Sequence, residues 1–420
     1  MVEGLRAPKG TNDLLPPVSW DWEDAVRRAW DLFREAGYAP IETPVFEHTE
    51  LFERGVGETT EVVTKQMYTF EDRGGRSLTL RPEGTAGVVR AVLEHGLNRG
   101  ALPVKLYYYS PMFRQERPQK GRYRQFFQLG VEAIGTDSPT IDAEVVELGA
   151  RYLASCGVDF RLRLNSIGHV DPACRQGYLK TLVEFLKENL DSLADEDQAR
   201  VDSNPLRTFD SKERKTQAVM AGAPLITDHI CDACKKHFEE VRASLDELGV
   251  EYDIDGTLVR GLDYYTRTTF EYQAAKVLGS QDAVGGGGRY DGLSEALGGP
   301  PLPGMGFALG IDRILVATER FERSPELAPR IDAYVVAMGD EPRRAALDLV
   351  VRLRRAGIGA DMDHAGRAMK GQMKDASRSG ARWALILGAE EVAAGTVTIK
   401  NMKSGEQEAI PIADVEGRIA

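Results

Sequence analysis

Several stretches of this 420-residue sequence combine cations, carboxylates, aromatic rings and glycines in patterns that suit phosphate and a small polar ligand. Residues 124–133 alternate. Arg124, Phe126, Gln128, Gly130 and Glu132 share one parity, and Gln125, Phe127, Leu129, Val131 and Ala133 the other. In a β-strand the two sets face opposite sides, so the second set is expected to pack on a core. The first set is then either a solvated polar face or, if covered, a rigid substrate floor. The preceding loop, 114–124, holds Arg114, Arg117, Lys120, Arg122 and Arg124 against one acid, Glu116. It reads as a contact for phosphate or nucleic acid, because the planar guanidinium matches phosphate oxygens, or else as a solvated hairpin tip.

Three further stretches fit the same chemistry. Residues 258–270 (LVRGLDYYTRTTF) bring Arg260, Asp263, Tyr264 and Tyr265 together. Residues 285–292 (GGGGRYDG) place four glycines before Arg289, Tyr290 and Asp291. Such a run costs stability and is expected to let backbone approach a ligand closely. No Gly-Lys-Ser/Thr follows, so it is not a nucleoside-triphosphate P-loop. Residues 304–313 (GMGFALGIDR) set Gly304, Gly306 and Gly310 ahead of a helix with Arg313 in its first turn, an arrangement that attracts anions. A dinucleotide fingerprint fails there, because Leu309 occupies the third glycine position. His229, Cys231, Cys234 and His237 lie within nine residues (HICDACKKH). Four ligands this close are hard to wrap around one ion, so no metal is expected, and the stretch reads as the start of an amphipathic helix. Cys156 and Cys174 read as ordinary thiols.

These residues need a scaffold. Trp22, Val26, Trp30 and Phe33 recur at helical spacing, predicting a helix over 21–36 closed by Gly37. A strand is expected at 77–83, then a helix from 86 to about 97 with Thr85 as its N-cap. Strands are expected at 105–113 and 124–135. Residues 170–248 read as a charge-rich helical insertion, broken by an extended piece at 204–209. Strands return over 258–273, 282–285 and 305–308, with a helix over 311–321. A proline-containing stretch, 321–330, reads as a linker. Beyond it strands (333–338, 359–363, 383–387, 396–401) alternate with helices (341–356, 367–379), predicting a small α/β domain.

Composition bounds the answer. The net charge is −12 and the apolar fraction 42%, which suits a globular chain of two or three domains. Evenly spread, that charge would argue against nucleic acid. It is not even: the loop 114–124 carries +4, and residues 343–378 hold nine Lys/Arg against four Asp/Glu. Four cysteines are too few for a disulfide scaffold, and the first seventeen residues have no apolar core of a secretory signal. No run reaches the roughly 20 apolar residues that span a bilayer. The expectation is a cytoplasmic protein with no membrane partner.

Taken in order, these motifs resemble the class II aminoacyl-tRNA synthetases, most closely the histidyl-tRNA synthetase family. Arg114-Gln-Glu116-Arg with Phe126 resembles the second class motif and 304–313 the third. Residues 260–265 (RGLDYY) and 285–292 resemble two stretches particular to histidyl enzymes, and 10–16 (GTNDLLP) and 81–85 (RPEGT) match as well. The resemblance runs over nearly the whole chain. It implies a catalytic α+β domain over 1–325, built on a six- or seven-stranded antiparallel sheet flanked by helices and interrupted by the helical insertion. It also implies an α/β anticodon-binding domain over 332–420. The implied activity is ATP-dependent activation of L-histidine to its adenylate, then transfer to the 3′-terminal adenosine of tRNA(His).

The resemblance further implies roles. Arg114 meets the α-phosphate, Arg313 the γ-phosphate, and Arg260 the charge developing at the α-phosphate. Phe126 stacks on adenine, Glu116 accepts from its amino group, and Mg²⁺ bridges the phosphates. Glu83, Thr85 and Gln128 receive the α-ammonium of histidine. Glu132 and Tyr265, with Tyr264 beside them, meet the imidazole. Arg117, Gln119 and Arg122 contact the tRNA acceptor end. The stretch 21–36 with the strand after it resembles the first class motif, which implies a homodimer. Two rivals remain: a synthetase-like regulatory subunit of ATP phosphoribosyltransferase, and an adenylate-forming enzyme that never meets tRNA. The first typically lacks the C-terminal domain and parts of the histidyl motifs, all present here.

Overall fold

A computed structural model of the chain describes residues 5–58, 60–169, 174–275, 282–324 and 331–419. The chain divides into two compact units, Met1–Leu14 with Val18–Arg323, and Ser324–Ala420 with Leu15–Pro17.

The first unit contains strands β1 (Ala39–Pro40), β2 (Phe46–His48), β3 (Tyr68–Glu71), β4 (Ser77–Leu80), β5 (Val104–Phe113), β6 (Gln125–Ile134), β7 (Phe160–Ser166), β8 (Asp253–Ile254), β9 (Thr266–Ala274), β10 (Ala283–Arg289) and β11 (Gly304–Gly310). Eight of them form one sheet in the order β1-β5-β6-β11-β10-β9-β7-β8, and β2-β4-β3 form a small second sheet. The six central strands of the large sheet pair antiparallel throughout. The two extra edge strands, β1 and β8, are two residues long and pair parallel. So short a segment shows no alternation in the sequence, and with both the sheet exceeds the six or seven strands expected.

The helices of this unit are α1 (Val18–Glu35), α2 (Thr49–Val56), α3 (Thr85–Glu94), α4 (Pro139–Ser155), α5 (Arg175–Glu188), α6 (Asp195–Gln198), α7 (Arg214–Met220), α8 (Asp232–Glu247), α9 (Leu293–Ala296) and α10 (Ile311–Ala317). One core gathers apolar residues of α1, α4, α8 and α10 against Leu129, Val131 and Ala133 of β6, with Phe127 packed beside them. The parity of β6 therefore holds, and Phe126, Gln128 and Glu132 are directed to the opposite face. Trp30 departs from the helical pattern. It is 40% exposed, with the Arg34 guanidinium 5.8 Å from its ring centre.

The insertion has a core of its own, including Tyr178, Leu182, Leu186, Leu206 and Ile226. Its last helix, α8, also joins the main core through Phe238, Val241 and Leu245. The piece expected to be extended at 204–209 is instead a 3₁₀ helix, Pro205–Asp210. Pro205 takes the first helical position, which tolerates a missing N–H, and the Thr208 hydroxyl donates to the Pro205 carbonyl at 2.6 Å. Residues 258–265 differ too: they form a loop, and the strand begins only at Thr266.

The glycine run is strand β10, in the middle of the sheet. A Cβ on Gly287 would overlap the Gly306 carbonyl, and one on Gly285 the Ala308 carbonyl. Neighbouring strands, more than a ligand, therefore require glycine here. Gly287→Ala is expected to destabilise the fold by about 2–3 kcal/mol, because the obstacle is backbone that cannot swing aside. A thermal melt against the parent chain measures this.

Arg289 ends β10 in a buried charge cluster. Its Nε donates to Asp142 Oδ1 of α4 at 3.1 Å, and His237 Nε2 of α8 lies 2.8 Å from Asp142 Oδ2. Arg289 and Asp142 have no exposed surface. Burial alone would raise the Asp142 carboxyl; the bonds from His237 and Arg289 outweigh it and hold it below the usual carboxylate range. Asp142→Ala would remove one of the two carboxylates that pair with buried Arg289, leaving Asp291 at 3.1 Å, and would take away the partner of His237; it is expected to cost about 3 kcal/mol, read in the same melts.

The second unit has β12 (Ala333–Ala337), β13 (Ala360–Met362), β14 (Trp383–Leu387), β15 (Thr396–Asn401) and β16 (Gln407–Pro411), with α11 (Asp340–Arg355), α12 (Met369–Arg378), α13 (Ala389–Ala394) and α14 (Val415–Ile419). The sheet order is β13-β12-β14-β15-β16, parallel among the first three and antiparallel after. The mostly exposed edge strand β16 gave no apolar signal in the sequence. Arg344, Arg355, Lys370 and Lys374 are exposed on this unit. The linker residues 325–330 lie outside the described residues. Among the described residues, no helix is long and apolar enough to cross a membrane.

Candidate active site

A cavity of about 890 Å³ lies within the first unit. Of the residues singled out above, Glu83, Thr85, Arg114, Glu116, Arg122, Phe126, Gln128, Arg260, Tyr264, Tyr265 and Arg313 line it. Glu132 is fully buried behind this lining, in contact with Thr85 and Tyr290. Arg117 and Gln119 stay outside, exposed on the hairpin tip.

Part of the lining is cationic. Arg114, just past β5, donates from Nε to the Pro82 carbonyl at 3.0 Å, and its guanidinium carbon lies 5.2 Å from the Phe126 ring centre. Arg122 Nε is 3.1 Å from Glu116 Oε2. Arg313, on α10, donates from Nε to the Gly121 carbonyl at 3.0 Å. Burial, then repulsion by Arg122 and Arg114, pulls the Arg313 pKa down. Cations crowded out of water in this way are stabilised by an incoming anion.

Arg260 reaches the cavity from the loop 258–265. Asn165 Nδ2 donates to the Leu258 carbonyl at 2.9 Å, and Arg175 Nη1 to the Tyr265 carbonyl at 2.8 Å, so the loop is held at both ends. Arg260 Nη1 bonds Glu271 Oε2 at 2.7 Å, while its buried Nε has no hydrogen-bond partner among the described residues. That leaves a donor to spend on a ligand.

Other lining residues are neutral or acidic. Glu83 accepts from the backbone N–H groups of Thr85 (2.8 Å) and Ala86 (3.0 Å), capping α3. The expected N-cap, Thr85, is instead the first helical residue. With a carboxylate satisfying the helix N-terminus, its hydroxyl is free to donate to Glu132 Oε1 at 2.7 Å. Tyr290 donates to Glu132 Oε2 at 2.6 Å. Burial pushes the Glu132 carboxyl up to about 8. Tyr264 donates to Glu83 at 3.4 Å, and Gln128 Oε1 is a buried acceptor with no partner among the described residues.

Two contributors were not singled out from the sequence as site residues. Tyr290 appeared there only as a neighbour of the glycines. Tyr108 lies opposite Gly130 in the β5–β6 register, and a Cβ on Gly130 would overlap its ring. In the run Tyr107–Tyr108–Tyr109, strand parity puts only Tyr108 on the cavity face, a signal the sequence did contain. Gly304 and Gly306 serve the same floor: side chains there would overlap Tyr290 and the Glu132 carboxylate.

The metal candidates do not assemble as a set. His237 is spent on Asp142, and His229 lies with its ring centre 5.5 Å from that of Tyr178. In the cavity, Glu116 is paired with Arg122, and Glu271 with Arg260 and Arg163. Both of these carboxylates are hard oxygen donors of the kind a divalent cation takes, but each already has an arginine partner.

The family description "Histidyl-tRNA synthetase" matches residues 10–314, and "Anticodon binding domain" matches 332–420. The chain is 49% identical over 415 residues to a histidine–tRNA ligase of Halothermothrix orenii, covering 98% of each chain. It is 51% identical to that of Corynebacterium jeikeium, covering 98% of this chain and 92% of the relative. Among solved structures, apo S. aureus histidyl-tRNA synthetase superposes with a TM-score of 0.82 at 39% identity, over 99% of this chain and 100% of the other. A Bacillus halodurans chain described as an ATP phosphoribosyltransferase regulatory subunit/histidyl-tRNA synthetase shares the fold, with a TM-score of 0.66 at 23% identity, over 91% of this chain and 98% of that one.

Proposed function

This chain belongs to the histidyl-tRNA synthetase family and its activity is the ligation of histidine to tRNA, and on that premise we propose how its residues carry the two steps. In the first, a carboxylate oxygen of histidine attacks the α-phosphorus of ATP and pyrophosphate leaves. The protein's task is to position the reactants and neutralise charge. Arg114 holds the α-phosphate, Arg313 the γ-phosphate, and Arg260 stabilises the charge that develops between nucleophile and leaving group. Phe126 stacks on adenine. Glu116, already receiving Arg122, offers its remaining lone pairs to the adenine amino group. Mg²⁺ carried by the phosphates would supply further charge neutralisation.

Glu83, Thr85 and Gln128 receive the α-ammonium, and Tyr264 keeps Glu83 oriented. Glu132 and Tyr265 meet the two imidazole nitrogens, with Tyr290 and Thr85 fixing the Glu132 carboxyl. A buried polar pair aimed at imidazole rejects apolar amino acids, because they would leave it unpaired. In the second step the 3′-terminal hydroxyl of tRNA attacks the acyl carbon and AMP leaves. Arg117, Gln119 and Arg122 guide the acceptor end, and the basic helices of the second unit meet the anticodon region by charge. We assign the protein to the cytoplasm and to a homodimer; the exposed Trp30 on α1 supports the latter.

The observation that carries this reading is that one cavity brings Arg114, Arg260 and Arg313 together with Glu83, Thr85 and Gln128, with the buried Glu132 carboxyl held by Thr85 and Tyr290 behind them. Amino-acid-dependent ATP–pyrophosphate exchange, run with each of the twenty amino acids, tests it. Exchange is expected with histidine alone. Exchange driven by another amino acid would overturn the pocket assignment, and none at all would point to a regulatory protein, a reading that relatives near 50% identity do not favour.

A further inference from the structure

The insertion holds a second constellation, outside the cavity. His169 follows β7, Cys174 directly precedes α5, Cys231 directly precedes α8, and Cys234 lies in the first turn of α8. One donor atom from each of the four lies within 4.8 Å of all the others. His169 Nδ1 is 3.0 Å from Cys234 Sγ and 3.8 Å from Cys231 Sγ, and the Cys174 and Cys234 sulfurs are 3.9 Å apart. Four ligands at about 2.0–2.3 Å from one tetrahedral zinc ion stand roughly 3.5–3.8 Å from each other, so these spacings straddle what the ion requires. The backbone N–H of Cys231 donates to Cys174 Sγ at 3.3 Å, which fixes the two segments against each other. Gly168 turns the chain at φ +65°, and a Cβ there would stand 2.7 Å from Cys174 Sγ, so glycine is needed for the approach.

We propose that His169, Cys174, Cys231 and Cys234 bind one zinc ion in a closed structural site. Three thiolates and an imidazole are a soft donor set that selects zinc over the hard cations. The ligands come as two short arms, one His-x₄-Cys and one Cys-x₂-Cys, on segments far apart in sequence. This is the folded-back arrangement that the crowded stretch 229–237 could not provide alone. All four positions are protein ligands, which leaves no open site for chemistry. The ion ties the start of α5 and of α8 to the end of β7. It also braces the pocket wall: Arg175, next to Cys174, holds the Tyr265 carbonyl, and Tyr265 shares a buried apolar cluster with Cys174 and Cys234.

The test uses the full-length chain, purified without a polyhistidine tag under reducing conditions and dialysed. Mass spectrometry of the metal is expected to give about one zinc per chain, retained until a strong chelator is added, with Cys174, Cys231 and Cys234 protected from alkylation until then. Occupancy in Cys231→Ser/Cys234→Ser is expected to fall below about a tenth of the parent value, and Cys156→Ala to keep it. Should the double variant fail to fold, cobalt(II) exchanged into the parent chain is expected to show the ligand-field and thiolate charge-transfer bands of a tetrahedral site. A folded parent chain that holds no zinc after dialysis against added zinc, with these three thiols freely alkylated or joined in a disulfide, would overturn the proposal.

Discussion

Arg260→Gln is expected to slow histidine-dependent ATP–pyrophosphate exchange by about 10³-fold, while histidine and ATP still bind within a few-fold of the parent. The guanidinium is placed by a loop held at both ends and by the bond to Glu271, and its free Nε is buried. A donor pre-set in this way costs no reorganisation when charge appears in the transition state. The substitution does not simply strand an acid, because Arg163 Nη1 still reaches Glu271 at 3.4 Å. Burst kinetics with separate binding titrations measure the two effects. A loss of binding that matches the loss of rate would make Arg260 a ground-state anchor.

Glu132→Gln separates specificity from stability. Histidine activation is expected to fall by 10³-fold or more, because a pocket built around a buried acid is left mismatched to imidazole, while ATP binding is unchanged. Stability moves the other way. The carboxyl goes from its ordinary value of 4.5 to about 8 on folding, through burial. The folded chain therefore holds a proton that the unfolded chain releases above about 4.5, and folding is penalised increasingly as pH rises from there to about 8. Glutamine removes that penalty. The variant's gain in melting temperature over the parent should be absent near pH 4, grow through neutrality and level off above pH 8. A gain that does not change with pH would mean the carboxyl is not buried as a neutral acid.

The parity of 124–133 was readable because a strand with one buried face must alternate, and β6 does. The glycines of 285–288 and 304–306 were visible as a constraint, but their cause was not. Sequence cannot tell a ligand from a neighbouring strand, and most of these glycines yield to backbone, Tyr290 or Glu132. The loop 258–265 looked like a strand because its apolar and aromatic residues are buried by the cavity wall rather than by a sheet. Thr85 looked like a cap until Glu83 took that task. The Cys/His cluster was half visible. Cys231 and Cys234 stood out, while their partners His169 and Cys174 lie more than fifty residues away and only the fold joins them. The net charge of −12 hid two basic stretches, because a sum over the chain erases position.

The most direct measurement is a crystal structure of the chain with a non-hydrolysable histidyl-adenylate analogue. The imidazole is predicted between Glu132 and Tyr265, the phosphate mimic beside Arg114 and Arg260, and adenine against Phe126. An imidazole bound away from Glu132, or adenine away from Phe126, would contradict the account.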